Sequence, residues 1–385
     1  MKRIAVIGAG AMGSGIGQVA AMAGHEVILF DAFPNAVTKA RDAILLSLNK
    51  LAEKGKITDQ ETKAVFGRMY FVDQLQSIEG SDLVIEAIVE IEEEKKKLFA
   101  LIEPLLSETA VLASNTSSLS ITGLANGLKN PERFIGIHFF NPPVMMKLVE
   151  IIPALQTSPH ITEQIKKEIT SWGKTTVLAK DTPGFIVNRI ARPFYGEALR
   201  IAEEQIATPT MIDTAVKVLG GFKMGPFELM DFIGNDINEA VTRSVWTAMH
   251  FDSRYRPSQM QVNLVKAGWL GRKTGRGYYD YKAPVEASSE PLTDEHKFIF
   301  NRILTMLINE AADALYYGIA SREDIDMAMT LGVNYPKGLL QWADETGIQE
   351  CVRRMDMLYF QYHEERYRCS MMLRKMAETK KTFYG

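Results

Sequence analysis

Ile4-Ala5-Val6-Ile7-Gly8-Ala9-Gly10-Ala11-Met12-Gly13 is the stretch on which the reading of this chain turns. Its first four residues are apolar and rich in β-branched side chains, which predicts a buried strand. Residues 12–24 read as a helix. Between them Gly8, Gly10 and Gly13, with Ala11 and Met12 in the variable places, spell G-x-G-x-x-G. In that setting the glycines permit a tight turn and let backbone amides approach a pyrophosphate at the helix N-terminus. Asp31 lies 18 residues beyond Gly13, at the end of the next predicted strand, 27–30. A carboxylate there is placed to accept hydrogen bonds from a ribose. Ala32 and Phe33 follow it, and no arginine is at hand to meet a 2′-phosphate. The expected cofactor is therefore NAD rather than NADP.

Outward from this turn, strands are expected at 4–7, 27–30, 83–87 and 111–113, with helices at 12–24, 35–53 and 92–106 between them. That alternation predicts a parallel sheet with crossover helices. On the last helix Glu92/Lys96 and Glu93/Lys97 are spaced i,i+4, a solvated face. Further strands are expected at 134–140, 148–152 and 176–178. At Asp181-Thr182-Pro183-Gly184 the pattern changes. Beyond this turn signal the chain reads as helical, at 188–205, 209–218 and 228–249. Residues 282–291 have the composition of a linker. The region after it echoes the region before it at a constant offset of 113 residues. Phe185, Asn188, Arg189 and Ile190 recur as Phe298, Asn301, Arg302 and Ile303, Glu197-Ala198 as Glu310-Ala311, and Gly225 as Gly338. This predicts a duplicated helical domain, with boundaries 1–182, 183–283 and 292–385.

The chain has 385 residues, 46% hydrophobic and 24% charged, the balance of a globular protein of two or three domains. Its net charge of −3 lacks the basic excess that nucleic-acid binding needs. No apolar run reaches the roughly 18 residues of a membrane span. The N-terminus reads as a strand entering a turn, not as a signal peptide. Two cysteines, Cys351 and Cys369, have no metal-site spacing and fit a reducing compartment. Thr382-Phe383-Tyr384-Gly385 carries no organelle address, so the cytoplasm is expected.

Several polar residues interrupt the apolar middle. Ser117 follows a strand, His138 lies within Gly136-Ile137-His138-Phe139-Phe140, and Glu150 within Leu148-Val149-Glu150-Ile151. An imidazole and a carboxylate on neighbouring strands can form a general-base pair, the carboxylate orienting the ring and stabilising imidazolium. Oxidising a secondary alcohol needs such a base, because the cofactor takes only the hydride. Two readings stand on these residues alone: that pair, or a satisfied core histidine beside an exposed glutamate. Ser117 either holds a substrate oxygen or caps a turn. Asn188 either donates to a substrate carbonyl or caps a helix.

Taken together the chain resembles the L-3-hydroxyacyl-CoA dehydrogenase family, including the bacterial 3-hydroxybutyryl-CoA dehydrogenases. The resemblance rests on the glycine turn, Val84-Ile85-Glu86-Ala87-Ile88-Val89-Glu90, Ser114-Asn115-Thr116-Ser117-Ser118, His138-Phe139-Phe140-Asn141-Pro142, Lys147-Leu148-Val149-Glu150, Asp181 to Arg189, Gly225-Pro226-Phe227-Glu228-Leu229 and Gly271-Arg272-Lys273-Thr274-Gly275. These occur in family order over about residues 1–281. The resemblance implies a Rossmann-like α/β domain followed by all-α helical domains. It also implies reversible NAD-linked oxidation of an L-3-hydroxyacyl-CoA to the 3-oxoacyl-CoA. It further implies His138 as general base, Glu150 as its orienting partner, and Ser117 and Asn188 at the reacting oxygens. Cofactor positions fall on Asp31, Glu90, Lys95, Ser117, Asn141 and Lys273, and coenzyme A contacts on Ser47 and Lys54.

The resemblance further implies that two-domain members of the family dimerise through the helical domain. The added copy, which keeps Asn301, is thus expected to act structurally, as an intramolecular pseudo-dimer; further self-association is left open. The acyl group is open too: short, long, or ending in a second carboxylate as in 3-hydroxyadipyl-CoA. Two other functions compete. A dehydrogenase of a free hydroxy acid or sugar acid would need a cation for the carboxylate, and Arg189 and Arg192 are available. A non-catalytic nucleotide- or CoA-binding subunit would have no use for the set Ser117, His138, Glu150 and Asn188.

Overall fold

The computed structural model describes residues 1–283 and 291–385, which form two compact units, Met1–Phe185 and Ile186–Gly385. The linker expected at 282–291 falls mostly on 284–290, outside the described residues.

The first unit is built on one sheet. Its elements run β1 (Arg3–Ile7), α1 (Ala11–Met22), β2 (Glu26–Phe30), α2 (Pro34–Glu53), α3 (Asp59–Phe66), β3 (Met69–Val72), β4 (Leu83–Glu86), α4 (Glu92–Ile102), β5 (Val111–Ser114), α5 (Ile121–Ala125), β6 (Phe134–Phe139), β7 (Leu148–Pro153), α6 (Pro159–Ser171) and β8 (Thr175–Leu178). The sheet order is β3-β2-β1-β4-β5-β6-β7-β8. The order reverses between β1 and β4, where open α/β sheets bind ligands beyond the strand ends. The central strands are buried on both faces, as their unbroken apolar runs require. Each fully buried Val, Ile or Leu contributes about 1.5–3 kcal/mol.

Three features depart from the sequence reading. The sheet is not wholly parallel, because β7 runs antiparallel to β6. Residues 140–147 between them are too few for a crossover helix, so the chain turns straight back. The sequence reading also lacks α3, β3, α5 and α6. Thr58 and Glu61 form a capping box that starts α3, and β3 is a short, half-exposed edge strand. On α4, Lys96 does pair with Glu92, but Lys97 pairs with Glu94 at i,i+3.

The second unit is helical: α7 (Val187–Ile190), α8 (Arg192–Glu203), α9 (Pro209–Gly220), α10 (Pro226–Ile233), α11 (Asn235–Ala248), α12 (Gln259–Lys266), α13 (Asp294–Tyr316), α14 (Arg322–Gly332), α15 (Leu339–Thr346), α16 (Ile348–Tyr362) and α17 (Met371–Thr379). The helix expected at 188–205 is split at Ala191, just before Pro193, which lacks the N–H a continuous helix needs. That expected at 228–249 is split at Gly234, whose φ of 106° suits glycine alone.

Hydrogen bonds in this unit recur in pairs. Arg189 Nε donates to Glu310 Oε1 at 2.7 Å, and Arg302 Nε to Glu197 Oε1 at 2.6 Å. The Tyr255 hydroxyl donates to Glu310, the Tyr367 hydroxyl to Glu197. Asp213 accepts from the backbone N–H of Phe227 and Glu228 and from the Tyr279 hydroxyl. Asp326 accepts from the N–H of Leu340 and Gln341 and from the Tyr384 hydroxyl. A Cβ on Gly225 would lie 2.4 Å from Asp213, and one on Gly338 2.3 Å from the Asp326 carboxyl carbon. Among the described residues no helix is long and apolar enough to cross a membrane.

Candidate active site

The turn after β1 is shaped by what its glycines omit. Gly8 has φ +105°, and a Cβ there would sit 2.5 Å from the Ala87 carbonyl oxygen. A Cβ on Gly13 would come within 1.7 Å of the Gly8 oxygen. Gly10 caps α1 without a side chain, and nothing lies within 4 Å of where its Cβ would be. The first N–H groups of α1, Ala11 and Met12 among them, thus face open space at a positive helix end, which suits a pyrophosphate. Asp31, half-buried just beyond β2, accepts from Ala9 N–H at 2.7 Å and Phe33 N–H at 2.9 Å. A carboxylate has about four acceptor sites, so a ribose can still be bonded. The donor set fits a dinucleotide.

At the ends of β4 and β5 lies a second cluster. Glu86 is fully buried and takes Lys95 Nζ, the Ile88 N–H and the Ser114 hydroxyl. Glu90 accepts from Thr116 Oγ1, from the N–H of Ser117 at 2.8 Å and of Ser118 at 3.1 Å, and from both serine hydroxyls. Burial raises the Glu90 carboxyl, but Lys95 and these donors outweigh it and hold it below the ordinary range. Lys95 is 1% exposed, 3.4 Å from Glu90. It is sealed beneath Glu90 and orders it, rather than reaching outward. Glu86 was missed from sequence, although an acid ending the apolar strand Leu83–Glu86 was the same signal that picked out Glu150.

His138 and Glu150 are directly opposed in the β6–β7 register. His138 Nδ1 lies 2.7 Å from Glu150 Oε2, with both residues buried. The competing reading of Glu150 as an exposed strand residue is thereby corrected: both faces of this sheet are covered. The imidazole lies beside the rings of Phe140 at 4.5 Å and Phe185 at 5.8 Å between centroids. With Nδ1–H donated to the carboxylate, the tautomer leaves the lone pair on Nε2. Asn115 Oδ1 accepts from Phe139 N–H at 2.9 Å and ties the loop that carries Ser117 to the strand that carries His138. Asn141 lies just beyond β6, before a cis peptide bond to Pro142. Lys174 Nζ donates to the carbonyls of Pro143 and Met146 and fixes that loop. Burial pushes its ammonium down to about 8. No sequence signal marks Lys174.

Ser47 and Lys54 line a cavity of about 550 Å³ between α1, α2 and residues 142–145. Lys39 and Lys50 line it as well. Two of the expected residues belong to the helical unit. Asn188 is half-buried on α7. Lys273 follows α12 and pairs with Asp236 at 2.6 Å, near the start of α11.

A family model described as "3-hydroxyacyl-CoA dehydrogenase, NAD binding domain" matches residues 3–182. One described as "3-hydroxyacyl-CoA dehydrogenase, C-terminal domain" matches residues 184–281 and 298–383. The chain is 38% identical to a 3-hydroxyadipyl-CoA dehydrogenase of Escherichia coli K12, covering 98% of each. It is 42% identical to a probable 3-hydroxybutyryl-CoA dehydrogenase of Deinococcus radiodurans, over 72% of this chain and 100% of that one. A solved structure of a 3-hydroxybutyryl-CoA dehydrogenase from Escherichia coli K12 superposes with a TM-score of 0.94 at 38% identity, covering 98% of both chains.

Proposed function

Since the chain belongs to the 3-hydroxyacyl-CoA dehydrogenase family, we propose that it interconverts an L-3-hydroxyacyl-CoA and the 3-oxoacyl-CoA through His138 as general base. The observation that carries this reading is the buried His138–Glu150 pair at 2.7 Å, on the same sheet as the glycine turn. NAD supplies the hydride acceptor when bound. In the oxidative direction His138 Nε2 takes the hydroxyl proton, and in reduction it returns that proton to the carbonyl oxygen. Glu150 holds the tautomer and stabilises the imidazolium in a site from which Phe140 and Phe185 exclude water. Ser117 and Asn188 bond the reacting oxygens. Glu90 fixes Ser117 through its N–H, so the hydroxyl can turn to substrate. Asp31, Asn141 and Lys273 complete the dinucleotide site, and Lys95 acts through Glu90. Ser47 and Lys54 take coenzyme A, a role supported by the cavity they share.

The nucleotide domain spans 1–182. Residues 183–283 and 292–385 are two copies of one helical domain, packed as an intramolecular pseudo-dimer. The reciprocal pairs Arg189–Glu310 and Arg302–Glu197 support this, because a self-complementary interface repeats each contact with the partners exchanged. In the second copy Arg354 donates to Asn301 Oδ1 at 3.0 Å, in keeping with a structural role. A chain cut near residue 285 is expected to self-associate or precipitate; a fully active soluble monomer would contradict the pseudo-dimer. The proposal includes the cytoplasm as compartment. Burial pushes the free thiols of Cys351 and Cys369 up to about 12 and about 11, as expected of inert reduced cysteines.

The test of activity is NADH consumption with acetoacetyl-CoA against free acetoacetate. Turnover of the thioester alone supports the proposal. Turnover of the free acid would point to a hydroxy-acid dehydrogenase on the same fold.

A further inference from the structure

Lys174 is a buried ammonium that the mechanism does not use. It lies in the first unit between α6 and β8 and is 8% exposed. Burial is what acts on its charge, and no carboxylate among the described residues pairs with it. Its Nζ reaches into residues 140–147, the loop from β6 to β7. There it donates to the Pro143 carbonyl at 2.5 Å and to the Met146 carbonyl at 2.8 Å. A buried cation without a counter-anion costs several kcal/mol, whereas an apolar side chain of similar volume would fill the same place at little cost. What the ammonium adds, and a methionine could not, is a pair of charge-assisted bonds to this loop.

That loop is one wall of the cavity of about 550 Å³ lined by Ser47 and Lys54, to which it contributes Pro142, Pro143, Val144 and Met145. Both of its ends are set by strands. Phe139 closes β6, and Leu148 pairs with Thr175 where β7 and β8 begin. Between those ends the N–H groups of Met145 and Met146 each donate to the Pro142 carbonyl at 3.0 Å. Pro143 seats directly on α1, because a Cβ on Gly15 would stand 2.8 Å from its Cδ. Lys174, just before β8, ties the same stretch to the sheet.

We propose that Lys174 is a positioning residue for the coenzyme A part of the substrate, acting through the loop whose backbone it fixes as the cavity wall. The proposal rests on the thioester dehydrogenase reading and on the cavity taking coenzyme A. His138 and Glu150 stand on β6 and β7 rather than on the loop. Loosening the wall therefore weakens recognition of the carrier and leaves the chemistry in place.

The experiment compares acetoacetyl-CoA with acetoacetyl-N-acetylcysteamine, the same acyl thioester on a truncated carrier, with NADH and the full-length enzyme. The ratio of their kcat/KM values measures what recognition of the carrier contributes. It does not depend on the fraction of a preparation that folds. In Lys174→Met this ratio should fall by roughly tenfold, the scale of one hydrogen bond to a charged group. The fall should come from a raised KM for acetoacetyl-CoA with kcat unchanged, the signature of a binding loss. Lys174→Arg, which keeps a cation and its donors, should retain most of the ratio. Gly15→Ala pushes on Pro143 from α1 and should lower the ratio as well, which keeps the wall testable should Lys174→Met fail to fold. An unchanged ratio in Lys174→Met or in Gly15→Ala would overturn the proposal. So would a fall confined to kcat, an equal fall in Lys174→Arg, or a wild-type ratio near one. Failure of wild type on both thioesters would instead overturn the underlying dehydrogenase reading.

Discussion

His138 and Glu150 face each other across the one antiparallel junction between neighbouring strands of the described sheet, Nδ1 to Oε2 at 2.7 Å. The reversal of β7 creates this relationship. In an antiparallel pair directly opposed residues share one face of the sheet, with Cβ atoms about 4.5–5.5 Å apart. The strand pairing itself holds base and carboxylate together.

Replacing Glu150 with Gln keeps the shape but removes the charge that stabilises imidazolium and fixes the tautomer. Turnover of acetoacetyl-CoA is expected to fall by roughly 10²–10⁴. NADH affinity, measured by fluorescence titration, should stay near wild type. Unchanged turnover would exclude Glu150 from the mechanism.

Lys95 lies against Glu86, which is fully buried, and 3.4 Å from Glu90. Lys95→Met strands the Glu86 carboxylate, at an expected cost of about 3–5 kcal/mol. Adding Glu86→Gln should recover most of that loss. Urea unfolding of the two single variants and the double variant checks the coupling. Additive effects would show that the pair is not coupled.

Asp31→Ser removes the carboxylate from the turn after β2. The bonds to Ala9 and Phe33 N–H are lost for either cofactor, so absolute affinity is a poor readout. The ratio of NADH to NADPH dissociation constants isolates the ribose contact. It should shift toward NADPH by about tenfold, the scale of one hydrogen bond to a charged group. An unchanged ratio would remove Asp31 from that role.

Glu310 gives the helical unit an acid-sensitive lock. Burial alone would raise its carboxyl, but Arg189 and Arg254 hold it down at about 2. The unfolded value is about 4.3. Below that pH the unfolded chain takes up the proton first, so the stabilisation present above about pH 4.5 is lost as pH falls toward 2. The thermal midpoint of wild type should therefore drop more steeply from pH 5 to 3 than that of Glu310→Gln. Equal slopes would contradict the lock.

Much of this was legible in the sequence because it depends on local pattern. The glycine turn with Asp31, the buried strands, and the acid and imidazole in adjoining apolar stretches all announce themselves within short windows. The antiparallel β7 was foreshadowed only by the brevity of residues 140–147. The edge strand β3 was hidden because its half-exposed Met69–Val72 lacks a buried run. Lys95 looks in sequence like any lysine on the solvated helix Glu92–Ile102, yet it is sealed under Glu90, since burial depends on which face meets the sheet. The pairing of Arg189 is likewise invisible along the chain. It is set by Glu310, 121 residues away.

The most direct test of the account is the rate of NADH consumption with acetoacetyl-CoA by His138→Gln, set beside wild type, with NADH affinity measured on the same samples. The account predicts a loss of roughly 10²–10⁴ in turnover with NADH binding retained, as for removal of a general base. Near-wild-type turnover would contradict it and take His138 out of the chemistry.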